Sequence, residues 1–189
     1  MPLKFTGITD MERSFRTAAA AMGKAEARAV RRVGVTIAAN QAREIGKTEN
    51  LRAATIKDAI RTVAQPTPDQ PRVVFEVRAK AIGLEQFIGS RVTKKGLSVQ
   101  PLKGGKRSVL RAGFALRGGA YFGRAALSGR QYGSPHVGRS PIVRLLGPNV
   151  LSQYIKDNVQ QVGADTWADR LPIELDREST FALKQAGLI

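Results

Sequence analysis

The chain has 189 residues, 42% of them hydrophobic, and a formal net charge of +16. That length and apolar content suit one folded domain with a real core, and so strongly basic a balance points to polyanionic partners: DNA, RNA or an acidic protein surface. The absence of cysteine excludes a disulfide framework, a thiolate zinc site and a thiol nucleophile, and it fits assembly in a reducing cytoplasm. His136 is the single histidine, so a serine triad or a multi-histidine metal centre would have one imidazole at most. The first residues lack the apolar core of a signal peptide, and no run of about eighteen apolar residues occurs, so a soluble protein without a membrane partner is expected.

Residues 1–64 read as helical. Phe15, Ala18, Met22, Ala25, Ala29, Val33 and Ile37 recur at spacings of three and four and form one apolar stripe. Thr9 and Glu12 suit a capping box at its start. The small residues of the stripe allow a partner close to the backbone, and Gly34 and Gly46 are places where this helix is expected to bend or stop. A second helix would carry Leu51, Ile56, Ile60 and Val63. Two basic helices in series invite a helix-turn-helix reading, against which a solvated charged face is the simpler explanation.

Three prolines in "QPTPDQP", Gln65–Pro71, end the helical zone. The period then changes to two: Val73, Phe75, Val77 and Ala79 alternate with Val74, Glu76, Arg78 and Lys80, as in a half-buried strand. Leu97–Leu102, Val109–Leu116 and Tyr121–Leu127 are further strand candidates, separated by the Gly104-Gly105 and Gly118-Gly119 turns. They predict a central antiparallel sheet with long basic loops over residues 72–147. Gly129–Pro148 reads as an extended loop with a short strand at Ile142–Leu145, in which Pro141, Gly147 and Pro148 fix a bend.

Helix resumes over 149–187, with Asn149 as the expected N-cap and Gly163 and Pro172 as dividers. Helices, then sheet, then helices predict an α+β fold in a single domain spanning 1–189. There is no internal repeat.

Charge is unevenly spread along this order. Residues 1–85 hold fifteen basic and nine acidic side chains, 157–189 hold three and six, and 86–156 hold thirteen basic and no acidic ones. The candidates to face DNA or a partner are Lys94, Lys95, Lys103, Lys106, Arg107 and Arg111. Of these, Lys103, Lys106 and Arg107 flank the Gly104-Gly105 turn. "LKGGKRS" is not a phosphate loop, because Arg107 follows Lys106 and no glycine stands five positions before Gly105. The acids are too dispersed for a glycosidase pair, and Phe87, Phe114, Tyr121, Phe122 and Tyr132 match no RNA-stacking motif. What remains is a basic, glycine-rich antiparallel region able to touch phosphate backbones without reading sequence.

"KKGLSVQPLKGG" (Lys94–Gly105), "AGFALRGG" (Ala112–Gly119), "YFGR" (Tyr121–Arg124) and, most specifically, "GRSPIVRLLGPNVLSQYI" (Gly138–Ile155) resemble the prophage minor tail protein Z family, the tail completion proteins typified by phage lambda. Asn149 stands where that family more often has Ser, and Ser140 where it more often has Leu. The resemblance extends over most of the chain, including the Ala/Arg-rich first helix and "RLPIEL" (Arg170–Leu175), with Gly138–Val150 its fairly specific part. It implies a virion structural protein of the neck that completes the tail and joins it to the head connector, without catalytic residues, metal or cofactor. It further implies a homo-oligomeric ring around the DNA channel, a hexamer by analogy with phage tails, meeting the connector and tail-terminator or tail-tube proteins after assembly in the host cytoplasm. The rival reading is a sequence-independent nucleic-acid-binding protein free in the cytoplasm.

Overall fold

The structure is a computed structural model and describes residues 7–116, 118–124 and 142–188. The chain is α+β, and it forms two compact units that are each discontinuous in sequence. One comprises Met1–Gln41, Ile60–Glu76 and Asp157–Ile189, the other Ala42–Ala59 and Val77–Lys156. No helix among the described residues is long and apolar enough to cross a membrane.

In the first unit the main element is α1 (Ile8–Thr48), whose first part packs along α4 (Asp157–Gln185). The predicted apolar stripe carries this packing, since Ala25, Ala29, Val33 and Ile37 are all buried. Its amino-terminal half is not covered, and Phe15 is exposed. Gly34 and Gly46 do not interrupt the helix. A Cβ at Gly34 would lie 3.1 Å from Val73 Cγ2 and one at Gly23 would lie 3.3 Å from Pro68 O, so the chain 68–73 lies close against α1 where these residues lack side chains. Helix starts at Ile8, so Thr9 is already inside it and no capping box forms; Gly7 O accepts from the amides of Asp10 and Met11.

Two expected helix boundaries in α4 are also absent. Gly163 sits against α1, where an added Cβ would be 2.6 Å from Gln41 Nε2. Pro172 lies inside the helix on its exposed side. The carbonyl that Pro172 leaves without an intrahelical donor belongs to Ala168, also exposed, and water can satisfy it there.

Ile60 and Val63, expected on a helix, instead belong to strand β1 (Ile60–Ala64), which pairs with β2 (Val74–Val77). The preceding helix α2 is only Ala53–Ala59. β-branched Ile60, Thr62 and Val63 favour the strand once this short helix has ended.

The second unit contains the remaining strands, in three small sheets rather than one. β4 (Arg91–Thr93), β5 (Gly96–Val99) and β6 (Ser108–Leu110) form one antiparallel sheet. β7 (Phe114–Ala115), β8 (Tyr121–Arg124) and β9 (Ile142–Arg144) form another, and β3 (Ile82–Gly83) pairs with β10 (Leu146–Gly147). The expected strand 109–116 is split because the Gly113 amide turns back to Leu110 O at 2.9 Å, and a Cβ at Gly113 would sit 2.6 Å from Leu97 Cβ. The core of this unit gathers Ile45, Leu51, Ile56, Leu84, Phe87, Leu97, Val99 and Val150. Asn50 ties its loops together: its amide donates to Pro101 O, its Nδ2 to Ile88 O and Gln100 O, and its carbonyl accepts from the Ile88 amide.

The bend expected at Pro141, Gly147 and Pro148 is partly in view. Pro141 lies outside the described residues. Gly147 is on β10 with φ outside the positive range, and a Cβ there would be 2.6 Å from Phe87 Cε2 and 3.1 Å from Leu84 Cδ2. Close packing, not backbone handedness, is what requires glycine at 147. After Pro148, α3 (Leu151–Tyr154) is a single turn before α4 begins. Val150 precedes α3 at the N-cap position, while the side chain of Asn149 still accepts from the Ser152 amide at 2.9 Å and donates to Ala79 O at 3.0 Å.

Candidate functional site

The basic candidates are all carried by the β4–β5–β6 sheet and its connections. Central β5 is buried along its whole length, so both of its faces are covered and the charges leave the sheet at its ends. Pairing of Thr93 with Gly96 and of Leu97 with Leu110 places Lys94, Lys95 and Arg111 at one end. Pairing of Val99 with Ser108 places Lys103, Lys106 and Arg107 at the other. Four residues of strand separate the two groups by roughly 10 Å. The candidates thus form two exposed clusters and not a single patch.

Each cluster has its own scaffold. At the first, Thr93 Oγ1 donates to Gly96 O at 2.7 Å and accepts from the Lys95 amide at 3.3 Å, while Gly96 takes φ +122°. That conformation and the close approach of the Leu110 carbonyl leave no room for a side chain at 96, and the two lysines are held outward in the turn. At the second, Gln100 Nε2 donates to Lys103 O and Gly105 O, and the Gly105 amide donates to Leu102 O. Arg107 differs from its neighbours: its guanidinium donates to Gly89 O at 3.0 Å, to Ser98 Oγ at 3.3 Å and to Gln100 Oε1 at 3.5 Å. It is a strut of the loop, and Lys103 and Lys106 are the exposed cations that the loop presents.

Three ionic features escaped sequence reading because each joins residues far apart in the chain. Glu85 pairs with Arg144 beside a cleft of about 550 Å³ whose rim also includes Arg52, Ser90 and Tyr121. Tyr121 closes part of that cleft by donating to Ser90 O at 3.0 Å. Glu49 is buried, with Oε1 accepting from Gln153 Nε2 at 2.6 Å and Oε2 without a partner. Its pKa is raised above the ordinary 4.5, chiefly by burial and against the opposing pull of the Gln153 hydrogen bond and the Lys156 charge. In the first unit, Glu178 is buried between two arginines: Arg32 Nη2 lies 3.0 Å from Oε1, and Arg28 Nε lies 2.8 Å from Oε2 without being aligned for a hydrogen bond. No local pattern in the sequence pointed to any of these pairings.

None of these carboxylates stands free beside a nucleophile. Glu85 is engaged by a guanidinium, and Glu49 and Glu178 are enclosed. No group of three His, Cys, Asp or Glu that could hold a metal ion occurs among the described residues, and His136 lies outside them. What the arrangement offers chemically is two small, rigidly mounted cationic turns. Comparison with protein-family models, curated proteins and solved structures finds no match to this chain.

Proposed function

We propose that this chain is a non-enzymatic structural protein of a phage virion that completes the tail and joins it to the head connector. It would act as a homo-oligomeric ring, a hexamer by analogy with phage tails, around the DNA channel. The observation that supports this reading is the mounting of exposed Lys94, Lys95, Arg111, Lys103 and Lys106 on turns of a buried-centre sheet, inside a stretch of seventy-odd residues without a carboxylate. Cations so placed repel one another when copies gather about an axis, and an anion must answer them. DNA in the channel is the favoured anion; an acidic surface on the connector, tail-terminator or tail-tube protein is the other. The Gly138–Val150 resemblance adds the virion setting, with assembly in the host cytoplasm and no cofactor.

The test is a Lys103→Glu/Lys106→Glu variant that keeps Arg107, since Arg107 holds the loop. Purified variant should fold normally, while particles assembled with it should lose DNA or fail at head–tail joining. Fully infectious particles with normal DNA retention would remove the role assigned to this turn. A second reading, a sequence-independent nucleic-acid-binding protein free in the cytoplasm, draws on the same cations and requires no ring. Its signature is duplex binding by a protein that is missing from purified necks and whose gene does not adjoin connector and tail genes.

A further inference from the structure

Contacts between α1 and α4 form an antiparallel ladder within the first unit. Gln41 donates to Val159 O, Asn40 to Thr166 Oγ1, Arg32 and Arg28 pair with Glu178, and Arg28 lies over the Phe181 ring at 5.6 Å. Continued at the same pitch, the ladder sets the last residue of α4, Gln185, level with Ala21–Lys24 of α1. The first turns of α1, residues 8–20, therefore run on past α4 for about 18 Å.

This overhang keeps the apolar pattern of the packed part. Ile8, Met11, Phe15, Ala18, Met22, Ala25 and Ala29 alternate spacings of three and four without a break, the repeat of a helix that packs lengthwise on another helix. Ala25 and Ala29 are 1% and 0% exposed, whereas Ile8 is 83%, Met11 42% and Phe15 69% exposed. One stripe is thus core at one end and bare at the other. The bare part comes to roughly 400 Å², comparable to the largest apolar patch of a typical monomer, which is often functional.

Charge identifies the occupant. The whole chain carries +16, yet residues 8–22 hold Asp10 and Glu12 against Arg13 and Arg16 and are neutral. A polyanion has nothing to gain on a neutral apolar stripe. Two copies of this chain repel one another broadly, and a neutral segment bearing both signs can meet its own copy without adding to that repulsion. We propose that the Ile8–Met22 stretch of α1 is a self-association surface that packs, helix against helix, on a second copy of the chain. This contact belongs to the free protein and does not depend on the virion role proposed above.

Sedimentation of the purified full chain over a concentration series, at low and high salt, tests it. Wild type should associate, and more tightly as salt rises, because screening removes the repulsion while the apolar contact persists. Met11→Glu/Phe15→Glu should raise the dissociation constant by about a hundredfold or more. Both side chains are exposed, so thermal unfolding of the dilute variant should match wild type, and this control separates lost contact from lost fold. The proposal is overturned by a wild type that stays monomeric at high concentration and high salt, by association indifferent to the double substitution, or by association that salt dissolves. A monomer that still builds normal necks would overturn it while leaving the virion reading in place.

Discussion

Gly147 and Glu49 show what single positions demand of this fold. A side chain at 147 would collide with the ring of Phe87, which is 2% exposed and has no space to retreat. Gly147→Val should therefore cost about 2–3 kcal/mol by overpacking, lowering the thermal midpoint well below that of Gln161→Ala on the exposed side of α4. Equal midpoints would show that Phe87 can move aside. Glu49 makes a different demand. Burial raises its pKa in the folded protein, so the folded state holds the Glu49 proton more tightly than the unfolded chain does. Its contribution to stability is full below the ordinary value of 4.5 and is lost as pH climbs through the raised folded value. Glu49→Gln keeps an acceptor for Gln153 and carries no charge. Denaturant midpoints measured across pH should show wild type losing stability relative to the variant as pH rises above 4.5 and then running parallel to it. A constant difference between the two from acid to neutral pH would mean that Glu49 does not titrate in this way.

At the scale of elements, Glu178 decides how α1 and α4 lock together. Its side chain is only 5% exposed and meets Arg28 and Arg32, which are themselves about half in solvent. Removing the cations leaves a buried carboxylate uncompensated, so Arg28→Ala/Arg32→Ala should destabilise the chain by about 3 kcal/mol or more, and Glu178→Gln in that background should recover part of the loss. Urea unfolding of the three proteins checks this; absence of recovery would mean that lost arginine packing, not stranded charge, sets the cost. Neither arginine was visible as a partner in the sequence, because the contacts cross about 150 residues. The apolar stripe of α1 was legible, since helical periodicity is local, and the strands near Leu97, Val109 and Tyr121 were legible from their local patterns, whereas β4 (Arg91–Thr93), which pairs with β5 across Gly96, was not. Boundaries were less so. Gly163, Gly34 and Pro172 read as breaks from local propensity, whereas packing against Gln41 and Val73 gives the two glycines a tertiary purpose, and solvent around Ala168 removes the penalty at Pro172. The break between β6 and β7, which puts them in different sheets, likewise involves Gly113 meeting Leu97, a contact that no residue pattern announces.

For the whole molecule, the sign and location of the charge were legible from composition, but its grouping was not: which lysines share an end of the β4–β5–β6 sheet depends on register, and the strut role of Arg107 depends on acceptors supplied by Gly89, Ser98 and Gln100. A net charge of +16 works against compactness, because every exposed cation raises the electrostatic energy of the folded state. Exposed lysines kept on turns of that sheet, with no ion pair at Lys103 or Lys106 among the described residues, are therefore a burden on stability unless an anion meets them. That reasoning gives a paired outcome for Lys103→Glu/Lys106→Glu. Reversing two exposed charges relieves self-repulsion, so the isolated variant should melt at the same temperature as wild type or higher, with the difference shrinking as salt is added. The same change should weaken duplex DNA binding and make the slope of log affinity against log salt shallower by about 0.9 for each lysine that neutralises a phosphate. Fluorescence anisotropy with two duplexes of unrelated sequence measures both, and the two should bind alike, because contacts to phosphate carry no sequence information. If the variant loses stability while its salt slope stays that of wild type, Lys103 and Lys106 support the loop and do not meet the polyanion. If stability holds and the slope falls, the charge at that end of the sheet is kept for binding at the expense of the fold.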